Sequence, residues 1–205
     1  MPRMPEKLTG FILAGGQSKR MGREKPLLLV GGVPLIERVL KAVAPCVGQT
    51  FVVTNRPELY EFLGRPIIED TWQGRGPLGG MHAALKHLRA PSALVVAADY
   101  PFLAPEAVDR VVREKPGAGV VLPRIAGMLH PLCAVYGAAS LGVLEESLTA
   151  GELMVRSFVE RLHDRKVLDE ADFGGPAVAE RIFMNLNTPE DLQRAEALVV
   201  EAQPH

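Results

Sequence analysis

Residues 13–25, Leu13-Ala14-Gly15-Gly16-Gln17-Ser18-Lys19-Arg20-Met21-Gly22-Arg23-Glu24-Lys25, set three glycines and the cations Lys19, Arg20 and Lys25 directly behind an apolar run. Glycine tolerates positive φ, which lets successive backbone N–H groups converge on one anion. Lysine and arginine beside such a turn add the charge that two or more phosphates demand. The stretch therefore predicts a polyphosphate loop. Arg20 and Lys25 are its candidates for stabilising charge on an α-phosphate and a departing pyrophosphate. The bland alternative is a glycine-rich β–α turn with a solvated basic face. Gly16 and Gly22 are separated by five residues and followed by Arg23, so G-x-x-x-x-G-K-[ST] is absent, and so is G-x-G-x-x-G.

Polyphosphate chemistry calls for a divalent cation, and Mg²⁺ needs only one or two protein carboxylates when phosphates and water fill its other positions. Asp99 is the candidate ligand, because it ends the continuous apolar run Ala93–Ala98 and precedes Tyr100-Pro101. Taken alone it is equally a turn aspartate. Asp70 is a turn residue or a carboxylate for a base edge, and Asn55 a turn residue or a polar contact to a nucleotide. Gly76-Pro77-Leu78-Gly79-Gly80 is either a tight helix start or a close approach of backbone to ligand. Trp72 and Tyr100 could stack on a ring, although single aromatics usually fill a core or its rim. His82, His87 and His130 carry no ligand or catalytic spacing and read as structural groups.

These residues need elements to hold them. Apolar runs of strand length (Phe11–Ala14, Thr50–Thr54, Pro66–Glu69, Ala93–Ala98, Val120–Leu122, Leu132–Tyr136, Lys166–Leu168, Ile182–Met184) alternate with stretches of helical period. Helices are expected from Leu35, from Met81 to Leu88, from Pro105, over about 139–149 and 152–162, and from Thr188 onward, where Pro189 and two acids suit a helix start. Such alternation predicts an α/β fold, a single three-layer domain with a Rossmann-like, mostly parallel sheet and helices on both faces. In such sheets ligands lie beyond the carboxyl ends of the strands. Gly15, Asn55, Asp70 and Asp99 each follow a predicted strand, so all should project from one edge.

A chain of 205 residues suits one domain over residues 1–205, and a net charge of −1 gives no footing for generic nucleic-acid binding. The apolar runs are too short for a membrane span. Residues 1–7 lack the apolar stretch of a secretory signal, and two cysteines do not make a disulfide framework. The expected location is the cytoplasm.

Six collinear segments resemble the molybdenum cofactor guanylyltransferases, the MobA family of nucleotidyltransferases. They are L-A-G-G-Q-S-K-R-M-G-R-E-K at 13–25, G-V-P-L-I-E-R-V-L at 32–40, G-P-L-G-G-M at 76–81, A-A-D-Y-P-F-L at 97–103, H-P-L-C-A-V-Y at 130–136 and N-L-N-T-P-E-D-L at 185–192. The resemblance implies transfer of GMP from Mg-GTP to the terminal phosphate of molybdopterin, with release of pyrophosphate. It implies that Leu13, Ala14, Gly15, Lys25, Asn55, Asp70 and Asp99 bind the nucleotide, that Asp99 also holds Mg²⁺, and that Asn185 and Asn187 meet the pterin. A nucleotide-binding half over about 8–115 and an acceptor half over about 116–205 follow. Pterin-delivering and molybdoenzyme acceptor proteins are the implied partners. Gly16, where the related cytidylyltransferases resemble L-A-A-G, favours guanine. The alternatives are a cytidylyltransferase for the same pterin or another nucleotidyltransferase for a small phosphorylated acceptor. One departure stands at Gly151-Glu152-Leu153-Met154, where the pattern leads one to expect a basic residue and Arg156 is the nearest.

Overall fold

The computed structural model describes residues 8–15, 24–114 and 119–201. Strand β1 (Thr9–Leu13) runs through its centre, paired in parallel with β4 (Gln49–Val53) on one side and β6 (Ser92–Ala97) on the other. Between β1 and β4 come a 3-10 turn (Lys25–Leu27), a two-stranded ribbon of β2 (Leu29–Val30) and β3 (Val33–Pro34), and helix α1 (Leu35–Val43). Strand β5 (Ile67–Ile68) pairs in parallel with β4, and α2 (Pro77–His87) leads back to β6. After α3 (Pro105–Arg113) follow β7 (Val120–Ile125), β8 (Met128–Leu129), β9 (Cys133–Gly137), α4 (Ser140–Ala150), α5 (Val155–Arg161), β10 (Arg165–Leu168), α6 (Pro176–Ile182) and α7 (Pro189–Glu201).

The main sheet has the order β10-β7-β9-β6-β1-β4-β5. Alternate residues of each strand face opposite layers, as the pleat requires. Ile12, Leu94, Val96 and Val121 pack with α1, α3 and α6, whereas Phe11, Leu13, Val95 and Leu122 pack with α2, α4 and α5. A third, smaller core of Leu28, Val30, Leu35, Leu186 and Ala195 fastens α7 onto the β2–β3 ribbon. The three-layer α/β architecture matches the expectation from sequence.

The structure adds one detail to the sheet and corrects two local expectations. The sheet is mostly parallel, as expected, with β9 antiparallel to both β6 and β7. The chain leaves β7 through a tight turn at Ala126-Gly127, both with positive φ (48° and 75°), and β8 pairs straight back on it. A connection that short can only reverse direction. Residues 182–184 are not a strand but the end of α6 and the turn after it. Gly174 and Gly175 (φ 91° and 96°) turn the chain, and Pro176 starts the helix. Phe183 is apolar because it is buried against the rings of Phe173, His130 and Tyr100. The helix expected over 152–162 starts later, at Val155, since Gly151 ends α4 in a left-handed conformation (φ 75°). No described helix is long and apolar enough to cross a membrane.

Candidate functional site

The chain turns to one side of β1 to form β4 and β5 and then to the other to form β6, so the strand order reverses between β1 and β6. The crevice beyond the carboxyl ends of strands at such a reversal is where open α/β sheets bind ligands. Leu13 is in register with both Val53 and Ala97. Ala14, Gly15, Asn55 and Asp99 therefore leave the sheet at one level, and Asp70 follows β5 along the same edge.

Asp99 is the focus of this crevice. Lys25 Nζ donates to Asp99 Oδ2 at 2.9 Å and to Asn187 Oδ1 at 2.8 Å. The lysine is held by its 3-10 turn, in which Leu28 N–H donates to the Lys25 carbonyl and Pro26 is buried. Glu24, just before it, pairs with Arg56 beyond the end of β4 at 2.7 Å. Asn187 arrives from the far end of the sequence because Leu186 N–H donates to the Asp99 carbonyl at 3.0 Å. Its setting is the start of α7. Asp191 Oδ2 accepts the N–H groups of Asn187 and Thr188, and Thr188 Oγ1 accepts the Asp191 N–H. Burial works against the Asp191 charge, but those N–H groups, the Thr188 hydroxyl and the Lys25 ammonium outweigh it and hold the carboxyl below its usual range.

Among the described residues, Asp99 Oδ1 and Asn185 Oδ1 at this crevice are buried and find no hydrogen-bond partner. Among the described residues there is no cluster of three or more carboxylate, imidazole or thiol groups suited to a metal. Mg²⁺ does not need one where phosphates supply the remaining oxygens. A hard carboxylate oxygen left without a donor suits such a cation, so Asp99 fits the expected ligand.

A second group stands further along the edge. Asn55 Oδ1 accepts the Asp70 N–H at 2.9 Å, and Asp70 Oδ1 accepts the Trp72 N–H at 2.7 Å. Burial pushes the Asp70 carboxyl up, against the opposing pull of the Trp72 N–H and His82. Gly76 starts α2 in a conformation (φ 61°, ψ −150°) that strains any residue with a side chain. Gly79 allows the Asp70 turn to sit on the helix, since a Cβ there would lie 2.4 Å from Asp70 Oδ2.

A family model described as the MobA-like NTP transferase domain matches residues 10–167. The chain belongs to the MobA-like NTP transferase family. It is 37% identical over 190 residues to the "Probable molybdenum cofactor guanylyltransferase" of Pelotomaculum thermopropionicum, covering 93% of this chain and 92% of that protein. It is 34% identical over 194 residues to the molybdenum cofactor guanylyltransferase of Serratia proteamaculans, covering 93% and 95%. The crystal structure of molybdopterin-guanine dinucleotide biosynthesis protein A from Archaeoglobus fulgidus superposes with a TM-score of 0.77 at 29% identity, covering 95% of this chain and all of that one (100%).

Within this MobA-like chain the structure brings Lys25, Asp99 and Asn187 together, with Asn185 two residues before Asn187, and it joins Asn55 to Asp70. Leu13 and Ala14 are buried at the end of β1, and Gly15 is exposed beyond it. Arg20, with Gly16, Lys19, Gly22 and Arg23 of the same loop, lies outside the described residues. Arg156 is exposed and paired with Glu160 at 2.9 Å on its own helix. Sequence inspection missed Tyr60. It is fully buried and its hydroxyl donates to the Ala14 carbonyl at 3.3 Å. Its segment, two short 3-10 turns over Pro57–Leu59 and Glu61–Leu63, carries no periodic signal. Tyr100 and His130 are core groups, with the Tyr100 hydroxyl on His130 Nδ1 at 3.3 Å.

Proposed function

We propose that this chain is a cytoplasmic enzyme that transfers GMP from Mg-GTP to the terminal phosphate of molybdopterin, releasing pyrophosphate. The observation that carries this reading is the bridge from Lys25 to Asp99 and Asn187. One cation touches both a carboxylate suited to a metal and the segment expected to meet the acceptor. The names of the relatives supply the substrates.

The nucleotide lies along the strand ends. Asp70 follows β5 and Asp99 follows β6, three strand spacings apart in the order β5-β4-β1-β6, or about 14 Å. That span suits a purine edge at Asp70 and Asn55, a ribose over Leu13, Ala14 and Gly15, and phosphates beside Lys25 and Asp99, with Arg20 the further cation expected to stabilise their charge. Residues from about 8 to 115 are assigned to the nucleotide half. Those from about 116 to 205 are assigned to the acceptor half, with Asn185 and Asn187 as the pterin contacts. Proteins that deliver the pterin and accept the finished cofactor are the expected partners.

An oxygen of the acceptor phosphate attacks the α-phosphorus, and the bond from that phosphorus to the β-bridging oxygen breaks. Its electron pair leaves with pyrophosphate. The attacking oxygen is already anionic at neutral pH, so no general base is needed, and alignment and charge neutralisation carry the catalysis. Mg²⁺ held by Asp99 would supply neutralisation of the triphosphate. Lys25 passes from Asp99 and Asn187 to the phosphates as the nucleotide seats. Pyrophosphate release tests the reading: it should require GTP, Mg²⁺ and molybdopterin together. Equal release without molybdopterin would make the protein a hydrolase and overturn the assignment.

A further inference from the structure

Beneath the Asp70 turn, buried His82 meets a half-exposed carboxylate in a pair that none of the chemistry above uses. His82 on α2 is 1% exposed, and its Nε2 stands 3.3 Å from Glu145 Oε1 on α4. Its Nδ1 is buried and finds no partner among the described residues. The ring meets that of Trp72 edge to face, with centroids 5.9 Å apart and planes at 75°. The Trp72 backbone N–H in turn donates to Asp70 Oδ1. The point where a Gly79 Cβ would stand lies 2.4 Å from Asp70 Oδ2 and 2.7 Å from the Trp72 carbonyl. The turn from 70 to 72 is thus pressed onto the first turn of α2, and the Trp72 side chain abuts His82 one turn further along.

Stability alone does not account for an imidazole here. The neighbours of His82 on the helix, Leu78, Met81 and Leu85, are buried apolar residues. A leucine at 82 would pack with them and leave no ring nitrogen unsatisfied, whereas a buried polar atom without a partner is destabilising. What the histidine adds is direction. The Glu145 carboxylate fixes one edge of its ring, and the fixed ring limits where Trp72 can settle.

We propose that His82, braced by Glu145, is a positioning residue for nucleotide recognition: it fixes the Trp72 ring and thereby the place of the Asp70 carboxylate against the base. This rests on the assignment of Asp70 to the nucleotide. His82 touches no substrate and acts through the turn it supports. The consequence belongs to GTP binding and to its preference over CTP, not to the transfer step.

Trp72 is the one tryptophan of the chain, so its fluorescence reports on this turn directly. His82→Leu keeps the bulk and removes the bond to Glu145. It should weaken GTP binding by about tenfold, the loss of one oriented contact, with kcat at saturating GTP unchanged. It should narrow the preference for GTP over CTP and make Trp72 more accessible to iodide quenching. His82→Gln, which keeps an N–H able to reach Glu145, should restore most of the affinity. Glu145→Gln changes a half-exposed side chain and should show a smaller loss in the same direction. Melting curves separate these effects from unfolding. Wild-type GTP affinity and quenching in both His82→Leu and Glu145→Gln would overturn the proposal. If Asp70→Asn weakens GTP while those two variants do not, the bracing alone is wrong. If Asp70→Asn binds GTP normally, the assignment of Asp70 fails, and the proposal fails with it.

Discussion

Replacing Lys25 with methionine keeps an unbranched stem and removes the charge at the centre of the crevice. In the structure that ammonium bonds Asp99 at 2.9 Å and Asn187 at 2.8 Å, and both members of the ion pair are 18% exposed. An exposed pair contributes about 0–1 kcal/mol, whereas breaking a buried pair costs about 3–5 kcal/mol because a charge is stranded. At this exposure the loss falls between the two, at about 2 kcal/mol. For a chain of this size that lowers Tm by about 4–8 °C. Turnover should suffer separately, because a cation aimed at developing phosphate charge contributes about 10²–10³-fold, or ~2.7–4 kcal/mol. Calorimetric melting and pyrophosphate release at saturating GTP read the two effects independently. A Lys25→Met enzyme that melts lower yet turns over within about twofold of wild type would refute the reasoning, since the contact would then be structural and nothing more.

Asp99→Asn keeps an acceptor oxygen in the same turn and removes the charge a metal needs. Turnover should fall by about 10²–10⁴-fold while the melting curve shows a folded protein, and near-normal Mg²⁺-dependent pyrophosphate release would place the metal elsewhere. Asp70→Asn should stabilise the free protein at neutral pH. Burial raises the Asp70 pKa on folding, so its favourable contribution is complete below the ordinary carboxylate pKa and is lost as pH rises through the raised value. The wild type should therefore lose Tm relative to Asp70→Asn across the acidic range, and parallel Tm profiles would contradict this. Tyr60→Phe leaves the Ala14 carbonyl without its buried donor. A loss of about 1 kcal/mol is expected, with GTP binding weakened several-fold and kcat retained, measured by melting and by titration.

The strand ends were the readable part of the molecule. Buried parallel strands are continuous apolar runs, so Phe11–Ala14 and Ala93–Ala98 mark themselves, and one rule about open sheets then sends Gly15, Asn55, Asp70 and Asp99 to the same edge. The helix start at Thr188-Pro189 was equally plain, because its partners lie within four residues. Contacts formed between distant segments leave no local trace. Lys25 and Asn187 are 162 positions apart, and only the fold reveals that one bonds the other. The same holds for Tyr60 on Ala14 and for His82 on Glu145. Phe183 misled for another reason: a short apolar triplet at a helix end has the same composition as a short strand. The direction of β9 depended on a two-residue turn at Ala126-Gly127, whose left-handed backbone only the structure discloses.

The central claim, guanylyl transfer to molybdopterin, is tested most directly by a single competition. The protein is incubated with molybdopterin, Mg²⁺ and equal concentrations of GTP and CTP, and the dinucleotide products are resolved by mass. A site that pairs hydrogen-bonding groups with one base can discriminate by about 100-fold or more. The account predicts the guanine dinucleotide in at least that excess over the cytosine one. Comparable amounts of the two would remove the guanine assignment, and the absence of any dinucleotide would contradict the transfer itself.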